Sequence, residues 1–445
     1  MSNKKEKAAE TAAAEARALV PKLRFPEFRD AEKWKIVNLG KISHLVTEKV
    51  GRTTCIPYTI TSGVGLVSQQ EKFGRITAGS SLKNYIALQK NDFAYNKSAT
   101  KAYPEGFIAL CANNDRAAVP SSIFTCFRVD QNQVIPNFLN SLFFFNIHGR
   151  WLKSRIAVGA RAHGSLQVSD SDLMAMPLPL PSGPRSVSEQ QKIADCLASI
   201  DELITLESQK LDHLKLYKKG LMQQLFPTEG ETVPRLRFPE FRNTGEWLKR
   251  KLGSLGSFTG GGTPDKNNFS YWEGMNPWVS SSDISDDSIY EIKISRFISD
   301  QAIQETATKI VPENSILLVS RVGVGKIAIT RNKICTSQDF TNFTPDEANL
   351  VFLAYGLKTM RDKFLSFNQG MAIKGFTKND VSSLEVPLPV EPREQQKIAD
   401  CLASIDELIT LESQRLDNLK THKKGLMQQL FPAPDGFLAA QAGNT

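Results

Sequence analysis

The fold of this chain is decided by the segment Glu189-Gln-Gln-Lys-Ile-Ala-Asp-Cys-Leu-Ala-Ser-Ile-Asp201, which returns unchanged as Glu394-Gln-Gln-Lys-Ile-Ala-Asp-Cys-Leu-Ala-Ser-Ile-Asp406. The match continues to residues 227 and 432, and only four of the 39 aligned positions differ. An internal repeat of this length indicates that one structural element is used twice.

Both copies are expected to form long helices. Their apolar residues recur at alternating intervals of four and three, which is the period of a coiled-coil seam. A proline-rich stretch precedes each copy, and Phe226-Pro227 or Phe431-Pro432 ends it. Two identical stripes are most simply buried against each other, as an antiparallel pair with pseudo-twofold symmetry. The alternative is that each helix packs on its own globular core. The predicted seam consists of Ile193, Leu197, Ile200, Ile204, Leu211, Leu214, Leu221, Ile398, Leu402, Ile405, Ile409, Leu416, Leu419 and Leu426.

A second, shorter repeat lies far upstream of each helix. Pro21-Lys-Leu-Arg-Phe-Pro-Glu-Phe28 returns as Pro234-Arg-Leu-Arg-Phe-Pro-Glu-Phe241, and each copy is followed by a tryptophan, Trp34 or Trp247. We call the short repeats and the helical repeats together the frame. Near-identical frame pieces therefore bracket whatever lies between them.

The two inserts within the frame are unlike. Residues 46–176 and 259–386 show no obvious alignment with each other. Strand-like runs and helical patterns, the latter at 136–154 and 349–366, indicate mixed α/β domains in both. We predict an α+β protein in which two α/β domains are joined by two long antiparallel coiled-coil helices.

Composition narrows the class of protein. The chain has 445 residues, 41% of them hydrophobic, and no apolar run reaches the roughly 18 residues of a membrane helix. The amino-terminal residues do not form a signal peptide, so we expect a cytoplasmic protein with no membrane partner. None of the six cysteines forms a CxxC pair, so the spacing of a zinc site is absent. The five histidines are scattered, and each is expected to be exposed or hydrogen-bonded.

Positive charge is concentrated in one insert domain. Of the net charge of +8, residues 21–188 carry +10, residues 228–393 carry zero, and each helix is slightly negative. This distribution favours contact between the first domain and phosphate groups, with the helices serving as spacer and docking surface. The second domain is expected to bind through local clusters, namely Lys249-Arg250-Lys251, Arg321 with Lys326, and Lys374 with Lys378.

Two motifs resemble those of enzymes but lack required members. Phe258-Thr-Gly-Gly-Gly262 fits the cofactor loop of DNA methyltransferases, but Asn276-Pro277-Trp278 lacks the second proline of their catalytic motif. Gly323-Val-Gly-Lys326 fits the end of a phosphate loop, but Ile327 stands where a hydroxyl should bind magnesium. We interpret the latter as a Gly-rich turn that places Arg321 and Lys326 on one rim.

A third motif leaves an alternative open. Pro264-Asp265 followed by Glu291-Ile-Lys293 fits the loose pattern of Mg²⁺-dependent nucleases, in which carboxylates hold the metal and lysine polarises the attacking water. The alternative function is therefore a Mg²⁺-dependent DNA endonuclease that carries its own recognition domains. Such a short pattern arises easily by chance, and Asp265 lies in a Gly-rich turn.

The repeated Glu-Gln-Gln-Lys-Ile-Ala-Asp segment after a Pro-Leu-Pro run resembles the specificity subunit of type I restriction-modification systems. The second insert adds Thr259-Gly-Gly-Gly-Thr-Pro264 and Ser320-Arg321-Val-Gly323, which look like one class of that family's target-recognition domain. In the first insert, Asp92-Phe-Ala-Tyr-Asn-Lys97 resembles another class. The likeness covers residues 21–432.

The resemblance implies a non-catalytic subunit that reads an asymmetric, two-part target on double-stranded DNA. It implies two methyltransferase subunits and two restriction subunits as partners, which would bind S-adenosylmethionine, ATP and Mg²⁺, so that this chain itself holds no cofactor and no metal. We accordingly divide the chain into a disordered lead-in (1–20), a target-recognition domain (21–185), a spacer helix (186–227), a second target-recognition domain (228–388), a second spacer helix (389–432) and a disordered tail (433–445).

Candidate DNA contacts follow from side-chain chemistry, because Arg and Lys bind phosphate or guanine edges and Ser or Thr supplies short donors in Gly-rich loops. We assign no catalytic residue. The candidates are Lys97, Ser98, Lys101, Arg155 and Arg161 in the first domain, and Thr263, Lys266, Ser281, Arg321, Lys326 and Lys374 in the second.

Overall fold

A computed structural model describes residues 19–61, 63–112, 116–156, 166–367 and 375–432. The chain divides into two compact units. The first comprises residues 1–206 and 416–445, and the second comprises residues 207–415. Each unit therefore contains one sheet-bearing domain together with a part of each long helix, a division that does not follow the chain linearly.

The first unit contains ten strands and five short α-helices within its described residues. The strands are β1 (Lys35–Asn38), β2 (Ser43–Val46), β3 (Ile56–Thr61), β4 (Gly65–Ser68), β5 (Ile86–Leu88), β6 (Asp92–Asn96), β7 (Phe107–Leu110), β8 (Ala117–Val119), β9 (Phe124–Val129) and β10 (Pro177–Leu180). The helices are α1 (Leu39–Ile42), α2 (Gln69–Phe73), α3 (Pro136–Phe144), α4 (Gly149–Lys153) and α5 (Asp170–Met174). The first long helix, α6 (Ser186–Leu225), begins in this unit and ends in the other.

The second unit repeats this series of elements. Its strands are β11 (Leu248–Lys251), β12 (Gly256–Gly260), β13 (Asn276–Val279), β14 (Arg296–Ile298), β15 (Ile310–Val311), β16 (Ser315–Leu318), β17 (Ile327–Thr330), β18 (Ile334–Thr336), β19 (Thr341–Pro345) and β20 (Glu385–Leu388). Its helices are α7 (Asp300–Glu305), α8 (Leu350–Thr359), α9 (Arg361–Ser366), α10 (Lys378–Ser382) and the first part of α11 (Pro392–Leu430).

The two inserts share one topology although their sequences do not align. In the first unit one sheet has the order β2-β9-β6-β7 and the other the order β4-β3-β8-β5. In the second unit the orders are β12-β19-β16-β17 and β14-β13-β18-β15, which are the same orders position for position. Even the parallel pairs correspond, because β3 pairs with β8 and β13 with β18, while the remaining pairs are antiparallel. The prediction of an α+β protein with two sheet-bearing domains is confirmed.

The short repeat of the frame fixes the start of each long helix. Arg24 donates from Nε and Nη2 to Glu189, each at 2.7 Å, and the indole Nε1 of Trp34 donates to the same carboxylate at 3.2 Å. In the second unit Arg237 forms the same pair of 2.7 Å bonds with Glu394, which Trp247 joins. A bidentate guanidinium–carboxylate pair is strongly directional, so it sets the angle at which the helix leaves the domain.

Within each unit the two helix segments run antiparallel. In the second unit Glu207 lies opposite Arg415, and Lys210 lies opposite Glu412. These two ion pairs are reciprocal, because an offset of 205 converts each one into the other, as twofold pairing of equal helices requires. The hydrogen bond from Lys210 holds the pKa of Glu412 below its ordinary value.

The predicted seam is not buried purely between the helices, because Ile193 and Leu197 pack in the hydrophobic core of the first unit and Ile398 and Leu402 pack in that of the second. Eight of the predicted seam positions are buried, namely Ile193, Leu197, Ile200, Leu211, Ile398, Leu402, Ile405 and Leu416. The other six, Ile204, Leu214, Leu221, Ile409, Leu419 and Leu426, are partly buried.

The helical stretches predicted at 136–154 and 349–366 each consist of two consecutive helices. The first is interrupted at Asn146, whose φ of 57° is incompatible with a right-handed helix. The proline-rich run that precedes the first long helix forms β10, which pairs with β1 along its length. Proline is tolerated there because the sheet has only these two strands, so every position lies at an edge.

Candidate nucleic-acid interface

Three segments of the first unit meet at Lys97, the residue that follows β6. Its backbone N–H donates to the carbonyl of Ile123, in the connection from β8 to β9, at 2.9 Å. Its own carbonyl accepts from the N–H of Leu166, ahead of α5, at 2.7 Å. The Lys97 ammonium lies 3.7 Å from the carboxylate of Asp170, in the first turn of α5. Lys97 is thus held at the junction of three loops.

The second unit builds the same junction from different residues. Ser320 donates its N–H to the carbonyl of Asp339 at 2.7 Å and accepts from the N–H of Phe376 at 3.0 Å. Ser320 therefore corresponds to Lys97, and Arg321 corresponds to Ser98. One candidate of each domain, Ser98 in the first and Arg321 in the second, thus lies at a structurally equivalent position.

Arg321 is the exposed cation of the second junction. Its guanidinium has no ion-pair partner within the described part of the chain. Gly375, with a φ of 154°, passes so close that a Cβ there would lie 2.5 Å from the Ser320 carbonyl oxygen and 3.1 Å from Arg321 Cγ. A glycine is therefore required beside Arg321. Lys374 immediately precedes it and lies outside the described residues.

The Gly-rich loop of the second unit, residues 259–266, is hydrogen-bonded to the connection from β18 to β19. Thr263 donates its hydroxyl to the amide oxygen of Gln338. The N–H of Gly262 donates to the Thr336 carbonyl at 2.9 Å, and its carbonyl accepts from the indole of Trp278 at 2.9 Å. A Cβ at Gly261 would lie 1.9 Å from the Ser337 carbonyl oxygen. The loop thus needs glycine for close approach, and Thr263 reaches the same connection that holds Ser320.

The remaining candidates of the second unit are placed differently. Lys266 is exposed on the Gly-rich loop, whereas Ser281 is buried in a single turn of 3₁₀ helix after β13. The Lys326 ammonium donates to the Ile284 carbonyl at 3.1 Å and lies 3.6 Å from the carboxylate of Asp286. The structure therefore engages Lys326 with its own chain, while Arg321 on the same turn remains exposed.

In the first unit, the other described candidates differ in exposure and in the contacts that their side chains make. Lys101 is exposed in the loop after β6, and the N–H of Ser98 donates to the side chain of Asn96 at 3.0 Å. The Arg155 guanidinium stacks on Trp151, 3.0 Å from the ring centroid, with Asp172 at 3.8 Å. Arg161 lies outside the described residues.

Sequence reasoning missed Arg296, which contacts both sides of the short turn that contains Ser281. Its guanidinium lies 4.5 Å from the ring centroid of Trp278 and donates to the Ser280 hydroxyl at 2.8 Å and to Asp283. Gln338, which accepts the hydrogen bond from Thr263, was missed as well. The partners of Arg296 and of Gln338 lie on other segments of the chain, so no local spacing pointed to either residue.

The residues of the enzyme-like motifs make packing and hydrogen-bonding contacts within the second unit. Phe258 is in β12 and packs on Phe343 of the neighbouring strand, while the amide of Asn276 donates to the Ile298 carbonyl at 3.2 Å and to Asp300 at 2.8 Å. The Asp265 carboxylate accepts from the N–H of Asn267 within its own turn. Across the described ranges, no group of three or more His, Cys, Asp or Glu side chains is arranged to hold a metal ion. Within the same ranges, no helix is both long and apolar enough to cross a bilayer.

The fold and these junctions define a class of protein: one strand order occurs twice, carries unlike loop surfaces, and is attached each time to the same helical frame. The chain belongs to the type I restriction modification DNA specificity domain family, whose model matches residues 32–216 and 244–421. The two matched ranges correspond to the two copies of the fold.

Curated relatives carry the same description. The chain is 32% identical over 168 residues to the type I restriction enzyme MjaIX specificity subunit of Methanocaldococcus jannaschii, a match covering 37% of this chain and 39% of that protein. It is 27% identical over 259 residues to the EcoR124I/EcoR124II specificity subunit of Escherichia coli, covering 55% and 59%. These matches thus span between about two fifths and three fifths of the relatives' lengths.

Solved structures extend the likeness in fold to nearly the whole chain. The S subunit of a type I restriction-modification system from M. genitalium superposes with a TM-score of 0.56 at 14% identity, covering 93% of this chain and 99% of that one. A chain from a study of complex assembly and conformational transition in a type I R-M system gives 0.55 at 18% identity, covering 90% and 98%.

Proposed function

We propose that this chain is the specificity subunit of a type I restriction-modification complex and reads a two-part DNA target, one part with each sheet-bearing domain. The observation that carries the proposal is the contrast between frame and loops. The strand order and the Arg–Glu–Trp anchor are the same in both units, whereas the loops at the junction differ in charge and shape. Equal scaffolds with unlike reading surfaces suit an asymmetric target on double-stranded DNA.

In this proposal direct base contact comes from the junction loops. Arg321 and Lys101 are exposed and can donate to guanine edges or phosphates, and Ser98 offers a short hydroxyl donor, while the Thr263 hydroxyl, which donates to Gln338, can still accept. Ser98 and Arg321 directly follow the residues at which three loops converge, and Thr263 is bonded to the connection that holds Ser320, so the fold fixes the backbone that carries these side chains.

The repeated helices supply docking surfaces for two copies of one partner. Leu203 and Leu206 are about half exposed, at 47% and 54%, and their equivalents Leu408 and Leu411 are at 48% and 53%. Leucine side chains that are exposed to solvent at equivalent positions of both repeats are suited to contact an apolar surface of a partner protein. We propose that each pair docks one methyltransferase subunit and that two restriction subunits join the resulting complex. S-adenosylmethionine, ATP and Mg²⁺ then belong to those partners, and this chain performs no catalysis.

Methylation mapping tests the reading function. The chain is expressed with a methyltransferase subunit encoded beside it, in a host without adenine methylation, and the methylated adenines are located by sequencing. We expect one motif of two parts separated by a fixed gap. Replacement of residues 43–175 by the corresponding domain of a family member should change one part and leave the other. A single uninterrupted motif, or a replacement that alters both parts, would contradict the proposal.

Co-purification tests the docking surfaces. Leu203→Glu with Leu206→Glu should remove one methyltransferase copy, Leu408→Glu with Leu411→Glu the other, and all four changes both copies. The control is Leu216→Glu with Tyr217→Glu, since these side chains are even more exposed, at 68% and 60%, but their repeat equivalents are Thr421 and His422. Native mass spectrometry counts the copies. Full occupancy in the fourfold variant would exclude this surface.

A further inference from the structure

The shared topology singles out a loop of the first unit that its sequence did not. In the second unit the connection from β12 to β13 is the Gly-rich loop that carries Thr263 and Lys266. The equivalent connection in the first unit joins β2 to β3 and covers residues 47–55. It has no glycine-rich stretch, and it presents Lys49 and Arg52 to solvent.

This loop is firmly anchored. Val50 is buried against Cys55 and Ala118, and its N–H donates to the carbonyl of Tyr85 at 3.0 Å. The N–H of Gly51, whose φ is 57°, donates to the carbonyl of Lys83 at 3.0 Å. The backbone therefore places Arg52 at the tip of a fixed turn, with Lys83 on the adjoining segment.

Three cations of this region have no side-chain partner among the residues that the structure describes. Lys49, Arg52 and Lys83, which we call the basic rim, are all exposed. Over the part of the chain that the structure describes, none of their side chains forms an ion pair or a hydrogen bond. Glu48 is the one acidic side chain in residues 47–55. The rim thus has a surplus of positive charge that the fold does not use.

The basic rim is continuous with the junction at Lys97. The connection from β8 to β9 holds Lys97 through the Ile123 carbonyl, and its Ser121 hydroxyl donates to the carbonyl of Asn84 at 3.3 Å. Asn84 directly follows Lys83. One short connection therefore contacts both the candidate reading loop and the rim.

We propose that the basic rim binds phosphate groups of the DNA that flank the bases read by the first domain, and that it supplies much of the salt-dependent part of DNA binding. Exposed Lys and Arg side chains bind phosphates by displacing condensed counterions, and the first domain carries the +10 surplus while the second is neutral. The two domains would then bind DNA in different ways, the first largely through charge and the second through short polar groups. This inference rests on the proposed reading function.

The test measures the affinity of the full-length chain for a fluorescent duplex bearing the mapped target, between 50 and 200 mM KCl. Removal of three phosphate contacts by Lys49→Gln, Arg52→Gln and Lys83→Gln should reduce the slope of log K against log salt by about 2 to 3. The ratio of affinities for target and scrambled duplex should stay within about twofold. The matched control, Lys22→Gln with Lys33→Gln and Lys35→Gln, removes the same charge from exposed frame positions and should keep the wild-type slope.

Each outcome is decisive. A rim variant whose salt slope equals that of the control overturns the inference while leaving sequence preference, and hence the reading function, intact. A rim variant with the wild-type slope that no longer co-purifies with the methyltransferase subunit would make the rim a protein-docking surface, which also overturns it. If the wild-type chain prefers neither duplex, the reading function itself fails, whatever the rim variant does.

Discussion

His148 should make the stability of the first unit depend on pH. The side chain lies between α3 and α4, is completely buried, and packs edge-on against Phe143 with ring centroids 5.5 Å apart. Neither ring nitrogen has a hydrogen-bond partner among the described residues. Burial lowers the pKa of His148 from 6.5 to about 4, because the imidazolium cannot be solvated there.

The direction of the pH effect follows from proton binding. Between pH 6.5 and about 4 the unfolded chain holds a proton on His148 and the native chain does not. The free energy of unfolding therefore falls as the pH falls through this window, and the contribution of this residue is constant above and below it. A depression of about 2.5 pH units at 1.36 kcal/mol each corresponds to a loss of about 3 kcal/mol.

The assay compares wild type with His148→Leu, which keeps a similar volume and removes the titrating group. Urea unfolding is followed from pH 4.5 to 8 by hydrogen exchange in residues 136–145, which report on the first unit. We expect the variant to be about 1 kcal/mol more stable at pH 8, because an unpaired buried polar group is removed. Its advantage should grow by about 2 kcal/mol or more toward pH 4.5.

The control is His44→Gln, at an exposed histidine of the same unit, which should keep the wild-type pH profile. Wild type and His148→Leu with parallel profiles across the window would refute the reasoning.

Three further outcomes follow from the frame. Arg237→Ala removes the guanidinium that pairs with the buried Glu394 carboxylate and should lower the stability of the second unit by about 3–5 kcal/mol, measured as faster hydrogen exchange confined to that unit. Arg237→Lys should not restore the bidentate pair. Asp406→Ala breaks the ion pair with Lys218, whose side chains are 5% and 6% exposed, and should lower the free energy of unfolding in urea by about 3 kcal/mol. Asp201→Ala breaks the repeat equivalent, the pair with Lys423, in which the aspartate is 52% exposed, and should lower it by less than about 1 kcal/mol. A circular permutant that starts at residue 232 and joins residue 432 to residue 19 through four residues should fold with wild-type circular dichroism and melting temperature. The reason is that the hydrogen bond from the N–H of residue 23 to the carbonyl of residue 429 in the first unit matches the bond from residue 236 to residue 224 in the second. Aggregation or a much lower melting temperature would contradict this.

The frame could be predicted from the sequence because its signals are local. Heptad spacing fixes which face of a helix is apolar, so the long helices and their apolar stripe from Ile193 to Leu426 could be predicted without coordinates. The duplication also indicated that one structural element is used twice. What the pattern did not reveal is how attachment is achieved, since Arg24 and Glu189 are 165 residues apart.

The candidate interface was predictable only in part. Composition and Gly-rich spacing led to Arg321 and Thr263, which the structure brings to one connection. The same reasoning put Lys326 on a rim with Arg321, whereas its ammonium binds the Ile284 carbonyl of a remote segment. The expectation that every histidine is exposed or hydrogen-bonded is wrong for His148, because packing of α3 and α4 closes over its ring.

The amino-acid sequence by itself determined the duplication, the two long helices with their seam, and the uneven distribution of charge, since all three depend on residue identity and short-range spacing. Tertiary structure alone decided that two unalignable inserts share one strand order and that Lys49, Arg52 and Lys83 find no ion-pair partner in the described part of the chain. The reason is that strand partners and ion-pair partners are chosen by segments tens to hundreds of residues apart, where periodicity carries no information.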